Sequence, residues 1–393
     1  MRARGERVES YSPPPSAPSA HLAPPNPLSP PKAADLATAL HLPSTADLLP
    51  LLVPLAASSA VTPTSAYPVG AAALGRSGAI YLGANLELPR APLAAAVHAE
   101  QAAVACAAQA GEGGLVRIAV SAPPCGHCRQ FCNELAGAEA LEFVFEEAGG
   151  RGRGASASTL ADLLPRAFGP ADLARGPSAD GSMGVAAPAG GRPATPPPGG
   201  CRARGPTFLM AGVGADGGGG GARLEWEGEA AAVLASAAAA AAPSWDGVAA
   251  SPSAALTGPL LVSAAEAALQ AAASCHAPHT HCPAGVALVW ERPGGGDAGP
   301  ASSAPVISAG GVIESAAYNP TLPPLQAALV AAVVAGLPSW AAVRGAVLVE
   351  RGGGARISHA GGTVAALACL GGGGGGDGDG AGVPLTVLRV RWA

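Results

Sequence analysis

The sequence predicts an α/β protein built from two similar halves, and three observations lead there. In the first half, apolar runs with strand character and runs of strong helix formers follow in the order β-β-α-β-α-β, the pattern of a sheet with helices packed on it. A weaker copy of part of that order returns beyond residue 254. Around and between the copies lie stretches rich in Gly, Pro and Ser, with too few large apolar side chains to build a core.

Residues 1–33 cluster proline and serine and read as a flexible, disordered leader. Arg2, Arg4 and Arg7 among serines would suit an organelle transit peptide, whereas Glu6 and Glu9 would not. The expected compartment is therefore the cytoplasm, with a plastid or mitochondrion as the alternative. Ser44–Ala56 is an apolar helical segment, and "AYPVGAAAL" and "GAIYLGANLEL" read as strands joined by the glycines of "GRSG". "LAAAVHAEQAAVACAAQAGE" follows as a helix, stopped by Gly111, Gly113 and Gly114. Then come a strand, "LVRIAVSA", a helix, "CGHCRQFCNELAG", and another strand, "ALEFVFEE". After Gly149 the texture changes, with Leu160–Leu173 as an ordered island. The expected division is a first domain over 34–175, a low-complexity linker or insertion over 176–253, and a second domain over 254–393 with a glycine-rich loop at 371–382.

The repeat pairs "PVGAAAL" (Pro68–Leu74) with "PAGVAL" (Pro283–Leu288), "HAEQAAV" (His98–Val104) with "PPLQAAL" (Pro323–Leu329), and "VRIAV" (Val116–Val120) with "VRGAV" (Val343–Val347). Pro323 stands where the first copy has His98, Leu325 where it has Glu100, and no Cys-x-x-Cys follows Val347. The second copy should keep the fold without the reactive groups.

A formal net charge of −5, with 22 Lys and Arg that form no run, supplies no basic field for a phosphate backbone. No apolar run reaches the roughly 18 residues that span a bilayer. No nucleic acid and no membrane are expected as partners, and a small molecule is. Eight irregularly spaced cysteines point to thiols in a reducing compartment rather than a disulfide framework.

Chemistry concentrates in "HAEQ", His98 to Gln101, and "PPCGHC", Pro123 to Cys128. One histidine and two thiolates leave a tetrahedral zinc ion with an open position, the donor pattern of catalytic zinc, and an unbound carboxylate beside it can move protons. His98 and Glu100 are two apart, so they converge only at a helix start, and Cys125 after two prolines also reads as a helix start. The expectation is one zinc per chain between two helix N-termini. Cys132 reads as an apolar helix position and His127 as pointing away from the metal. "CHAPHTHC", Cys275 to Cys282, leaves a second metal site open.

H-x-E followed by P-C-x-x-C is an established signature of zinc nucleobase deaminases. With "GANLE", "LLP-x-x-FGP-x-DL" around Leu163–Leu173, and "ESAAYNPTLPPLQAALV" at Glu314–Val330, the chain resembles the cytidine deaminases of the homodimeric two-domain type, over about residues 44–175 and 255–393. The resemblance implies two three-layer α/β/α domains, the second degenerate, and a homodimer acting in pyrimidine salvage. It implies hydrolysis of cytidine and 2′-deoxycytidine to the uridines plus ammonia. His98, Cys125 and Cys128 would hold zinc and Glu100 would shuttle protons. Asn85 and Glu87 would bind the ribose, Leu86 between them would belong to the substrate site, and Tyr67 would lie near the pyrimidine. Two alternatives share parts of the signature: a deaminase of nucleotides or of bases in nucleic acid, and a zinc-stabilised scaffold without activity.

Overall fold

The structure, a computed structural model, describes residues 26–145, 156–175, 224–239, 256, 258–292, 305–370 and 382–392. In the first half, α1 (Pro30–Ala39) and α2 (Leu49–Ala57) precede the antiparallel pair β1 (Gly70–Gly75) and β2 (Ile80–Ala84). Then come α3 (Ala99–Gln109), β3 (Leu115–Val120), α4 (Gly126–Cys132), β4 (Glu142–Phe145), β5 (Ser156–Thr159), α5 (Leu160–Leu163) and α6 (Pro170–Arg175). The sheet order is β2-β1-β3-β4-β5, with β3 and β4 parallel. Every residue of β1 is buried because both faces are covered. Ala71 and Ala73 enter the core that α3 closes, while Ala72 and Leu74 enter the one that α1 and α2 close. The result is three layers.

The second half repeats this plan. It comprises β6 (Leu224–Trp226), α7 (Gly228–Ala239), α8 (Gly258–Ala273), β7 (Ala284–Glu291), β8 (Pro305–Gly311), α9 (Pro324–Val334), β9 (Val343–Arg351), α10 (Ala360–Leu370) and β10 (Leu385–Trp392). Its order, β6-β10-β9-β7-β8, matches the first sheet strand for strand, including a parallel pair at β9 and β10. One detail shows how closely the packing repeats. A Cβ on Gly70 would sit 2.3 Å from the Val53 carbonyl of α2, and one on Gly285 would sit 2.3 Å from the Ala268 carbonyl of α8. Only glycine lets helix and strand approach so far.

Three expectations about boundaries need correction. The leader ends earlier than residue 33: Leu28 exchanges backbone hydrogen bonds with Ile80 at 2.9 and 3.0 Å, and α1 begins at Pro30. Ser156–Thr159 is an edge strand paired with β4, although its Ser, Ala and Thr show no apolar alternation; the partner's backbone decides its state. Within the expected linker, Leu224–Trp226 pairs with β10, and Leu234 of α7 joins a core with Leu261 of α8. These short apolar positions are diluted by the glycine around them in any composition window. The fifth strand thus comes from after β4 in one half and from before α8 in the other. The rest of 176–253, and 371–381, lie outside the described residues.

The halves dock through α3 and α9. All of Ala99 to Ala107 is buried, and one core joins Ala102 and Cys106 to Ile313, Leu322, Ala327 and Val330 of the second half. Alanine's small side chain lets α3 lie between its own sheet and a foreign helix.

Candidate active site

Two helix starts build the site. His98 is the residue before α3, with extended backbone (φ −83°, ψ 155°), and Glu100 is the helix's second residue. Cys125 holds the same place before α4 (φ −70°, ψ 166°), and Cys128 lies in its first turn. Pro123 and Pro124 bring the chain in extended, and the Arg129 N–H bonds back to the Cys125 carbonyl at 3.0 Å. The ligand atoms of His98, Cys125 and Cys128 all lie within 4.8 Å of one another, the one such group among the described residues. His98 Nδ1 stands 3.4 Å from Cys125 Sγ.

The electrostatics suit a cation. A hydrogen bond from Cys128 lowers the Cys125 thiol to about 3, with His98 adding to the effect. The bond with Cys125, together with burial, pushes the Cys128 thiol up. The two thiols are thus pulled in opposite directions by the bond between them. Free N–H groups at a helix start favour negative charge there. Soft sulfur with imidazole is a donor set that fits zinc. Glu100 is only 4% exposed, and burial raises its carboxyl above the usual range.

A second group sits on the segment whose Leu86 pairs with Val97, the residue before His98. Glu87 Oε2 accepts from the Thr64 and Ser65 N–H groups at 2.9 and 3.0 Å; burial pushes its carboxyl up, but these bonds prevail and hold it below the ordinary value. Asn85 spends its amide on the same loop: Nδ2 donates to the Tyr67 carbonyl at 3.0 Å and Oδ1 accepts from Val69 N–H at 2.8 Å. Leu86 buries its side chain in the core and exchanges backbone bonds with Val97. Tyr67 is 60% exposed. The sequence treats "GANLE" as one motif; the structure divides it into a loop brace, a core residue and a carboxylate.

His127 stays outside the ligand group, and its ring stacks on that of His98 with centroids 5.1 Å apart and planes at 21°. Cys132 is fully buried, and burial pushes its thiol up. Sequence reasoning missed the brace on α4's outer face. Gln130 and Asn133 donate to the Phe168 carbonyl, and Arg129 donates to Pro124 O at 2.7 Å and Leu163 O at 3.1 Å. "RQ" beside the second cysteine was the available signal. In the second half, Pro323 precedes α9 as His98 precedes α3, and Leu325 is its buried second residue.

Family models described as "Cytidine and deoxycytidylate deaminase zinc-binding region" match residues 44–144 and 230–363. A protein of Yersinia pestis (strain Pestoides F) named cytidine deaminase is 36% identical over 320 residues, 81% of this chain and 78% of that one. The chain belongs to the cytidine and deoxycytidylate deaminase family. A Yersinia pseudotuberculosis relative (serotype O:1b, strain IP 31758) of the same name gives the same identity and coverage. A solved cytidine deaminase from Burkholderia pseudomallei, 32% identical, aligns over 31% of this chain and 98% of its own, with a TM-score of 0.28. Both halves of this deaminase-family chain are thus matched, although only the first carries the His-Cys-Cys group among the described residues.

Proposed function

We propose that the chain hydrolyses cytidine and 2′-deoxycytidine to uridine and 2′-deoxyuridine, releasing ammonia, with one zinc ion held by His98, Cys125 and Cys128. The observation that carries this reading is a buried carboxylate, Glu100, on the same helix start as one donor of the His-Cys-Cys group. Bound there, zinc supplies a Lewis acid that makes water nucleophilic near neutral pH.

The remaining chemistry belongs to side chains. Glu100, buried and raised in pKa, takes a proton from the attacking water and delivers it to ring nitrogen 3 as carbon 4 becomes tetrahedral. The same carboxyl then moves a proton to the departing amine, so water's oxygen replaces nitrogen and ammonia leaves. Glu87, held ionised by the Thr64 and Ser65 N–H groups, offers a carboxylate to a ribose hydroxyl, and Asn85 fixes the loop on which Tyr67 stands. The first half, residues 34–175, is the catalytic domain in this reading, and the second is degenerate. Association into a homodimer, a role in pyrimidine salvage and a cytoplasmic site belong to the same reading. No helix among the described residues is long and apolar enough to cross a membrane.

Incubation of the purified chain with cytidine, following uridine and ammonia with and without a chelator, tests the activity. Light scattering coupled to gel filtration tests the dimer. Chelator-sensitive uridine formation is expected; none from a zinc-loaded chain overturns the reading.

A further inference from the structure

Two deeply buried polar groups take no part in the chemistry above, and both reach one loop of the second half. Gln101 follows Glu100 on α3. Its Oε1 accepts from the His98 N–H at 3.2 Å, and its Nε2 donates to the Pro320 carbonyl at 3.0 Å. Glu134 lies just past the end of α4. Its Oε1 accepts from the Ala316 N–H at 2.6 Å, and its Oε2 stands 3.1 Å from His279 Nε2.

The loop from Glu314 to Leu322 therefore grips the start of α3 at Pro320 and the end of α4 at Ala316. It is itself firmly held. Ile313 and Leu322 exchange backbone bonds at 3.0 and 2.9 Å, the Ser315 N–H donates to Thr321 Oγ1 at 3.0 Å, and Glu314 accepts from the His279 N–H at 2.9 Å. The spatial arrangement gives the grip its consequence. α4 has only 7 residues, too few to hold its own direction in isolation. A tilt at Glu134 would be passed along it to Cys128, and ligand distances in metal sites keep within about 0.2 Å of their standard values.

We propose that Gln101 and Glu134 are positioning residues through which the second half sets the separation of the two donor-bearing helices. This rests on the reading of His98, Cys125 and Cys128 as the zinc donors. A half that lacks the reactive groups thus acts as a gauge for the half that has them. The bond from Gln109 Nε2 to the Ala327 carbonyl, 3.1 Å, is the internal control. It joins the same two halves by the same chemistry at the far end of α3, away from every donor.

The experiment uses the full-length chain loaded with zinc and, separately, with cobalt. Three quantities are read: the rate at which a chromogenic chelator removes zinc, the visible ligand-field spectrum of the cobalt form, and thermal unfolding. Glu134→Ala and Gln101→Ala should each speed zinc removal by about 10-fold or more, the scale of effects from groups that orient metal ligands, and alter the cobalt spectrum. Glu134→Gln keeps an acceptor for Ala316 and should recover most of the loss. Gln109→Ala should match the parent in both metal readouts. Should Glu134→Ala fail to fold, the contrast between Gln101→Ala and Gln109→Ala decides alone. Parent-like removal and spectra in the folded members of the pair Gln101→Ala and Glu134→Ala overturn the proposal. So does an equal change in Gln109→Ala, which would mean docking in general. A Cys125→Ala, Cys128→Ala variant that keeps its metal would instead sink the donor assignment, and the proposal with it.

Discussion

At the start of α3 stand His98 and Glu100; at the start of α9, the same place in the second half, stand Pro323 and Leu325. The loops beside these helices differ far less. Glu87 caps the Thr64 and Ser65 N–H groups, and Glu314 caps those of His279 and Thr280 at 2.9 and 3.1 Å. Ala66 and His281 take the same left-handed turn, at φ 52° and 56°. The comparison separates what the fold needs from what the chemistry needs. A carboxylate that ties down a loop occurs in both halves, half-buried at Glu87 and buried at Glu314, so holding the loop is a task of the fold. The histidine, the two thiols and the buried Glu100 occur in one half only, and nothing in the shared packing calls for them. In the proposed reading Glu87 has a second task, the ribose hydroxyl, and Glu314 has none.

The largest effect should come from removing the difference between the halves. A Cys125→Ala, Cys128→Ala double variant is expected to fall from about one zinc per chain to near none, with loss of uridine formation. Elemental analysis decides it: two ions in the parent, or one surviving in the variant, would show that the second half or the Cys275–Cys282 segment binds metal after all.

Next in size is Glu100→Ala. Positioned proton transfer contributes roughly 10²- to 10⁴-fold per step, and this residue serves more than one, so turnover should nearly vanish. Zinc should stay, because Glu100 is not a donor. Turnover and zinc content measured on one sample check both, and near-normal turnover would remove Glu100 from the mechanism.

The paired carboxylates sharpen the comparison further. Glu87→Ala should lower kcat/KM for cytidine by about 10- to 100-fold, because a hydrogen bond to a charged group contributes roughly 1.5–3 kcal/mol, with some loss of stability as the loop loosens. Glu314→Ala should cost stability, on the order of 1 kcal/mol for stranded part-buried donors, with far less effect on nucleoside binding. Steady-state kinetics and denaturant unfolding of both variants test the division. Equal kinetic damage from the two would break it.

The smallest effect should follow deletion of Pro177–Ala222, since loop length enters stability only logarithmically. Extending the cut through Ala239 should abolish soluble protein, because β6 and α7 complete the second sheet and its core. Thermal melts of the shorter deletion, and the soluble yield of the longer one, draw the true edge of the insertion.

His98, Glu100, Cys125 and Cys128 were legible in the sequence because reactive residue types at fixed short spacing imply helix starts, and a helix start is a local matter of N–H groups and proline. The repeat was legible because alternating and helical apolar patterns survive loss of the side chains that react. Tertiary structure alone decided the rest. Whether Ser156–Thr159 is a strand depends on β4 beside it, and whether Leu224–Trp226 is one depends on β10, more than 150 positions later in the chain. Asn85 and Glu87 are neighbours in "GANLE", yet their separate tasks come from which backbone groups the Thr64–Val69 loop presents to each. Gln101 and Glu134 gain meaning only when α9 docks on α3 and brings Pro320 and Ala316 within reach. A hydrogen bond between residues some 200 positions apart leaves no trace in either one's neighbourhood, because its energy is set by geometry that exists only once the core has closed.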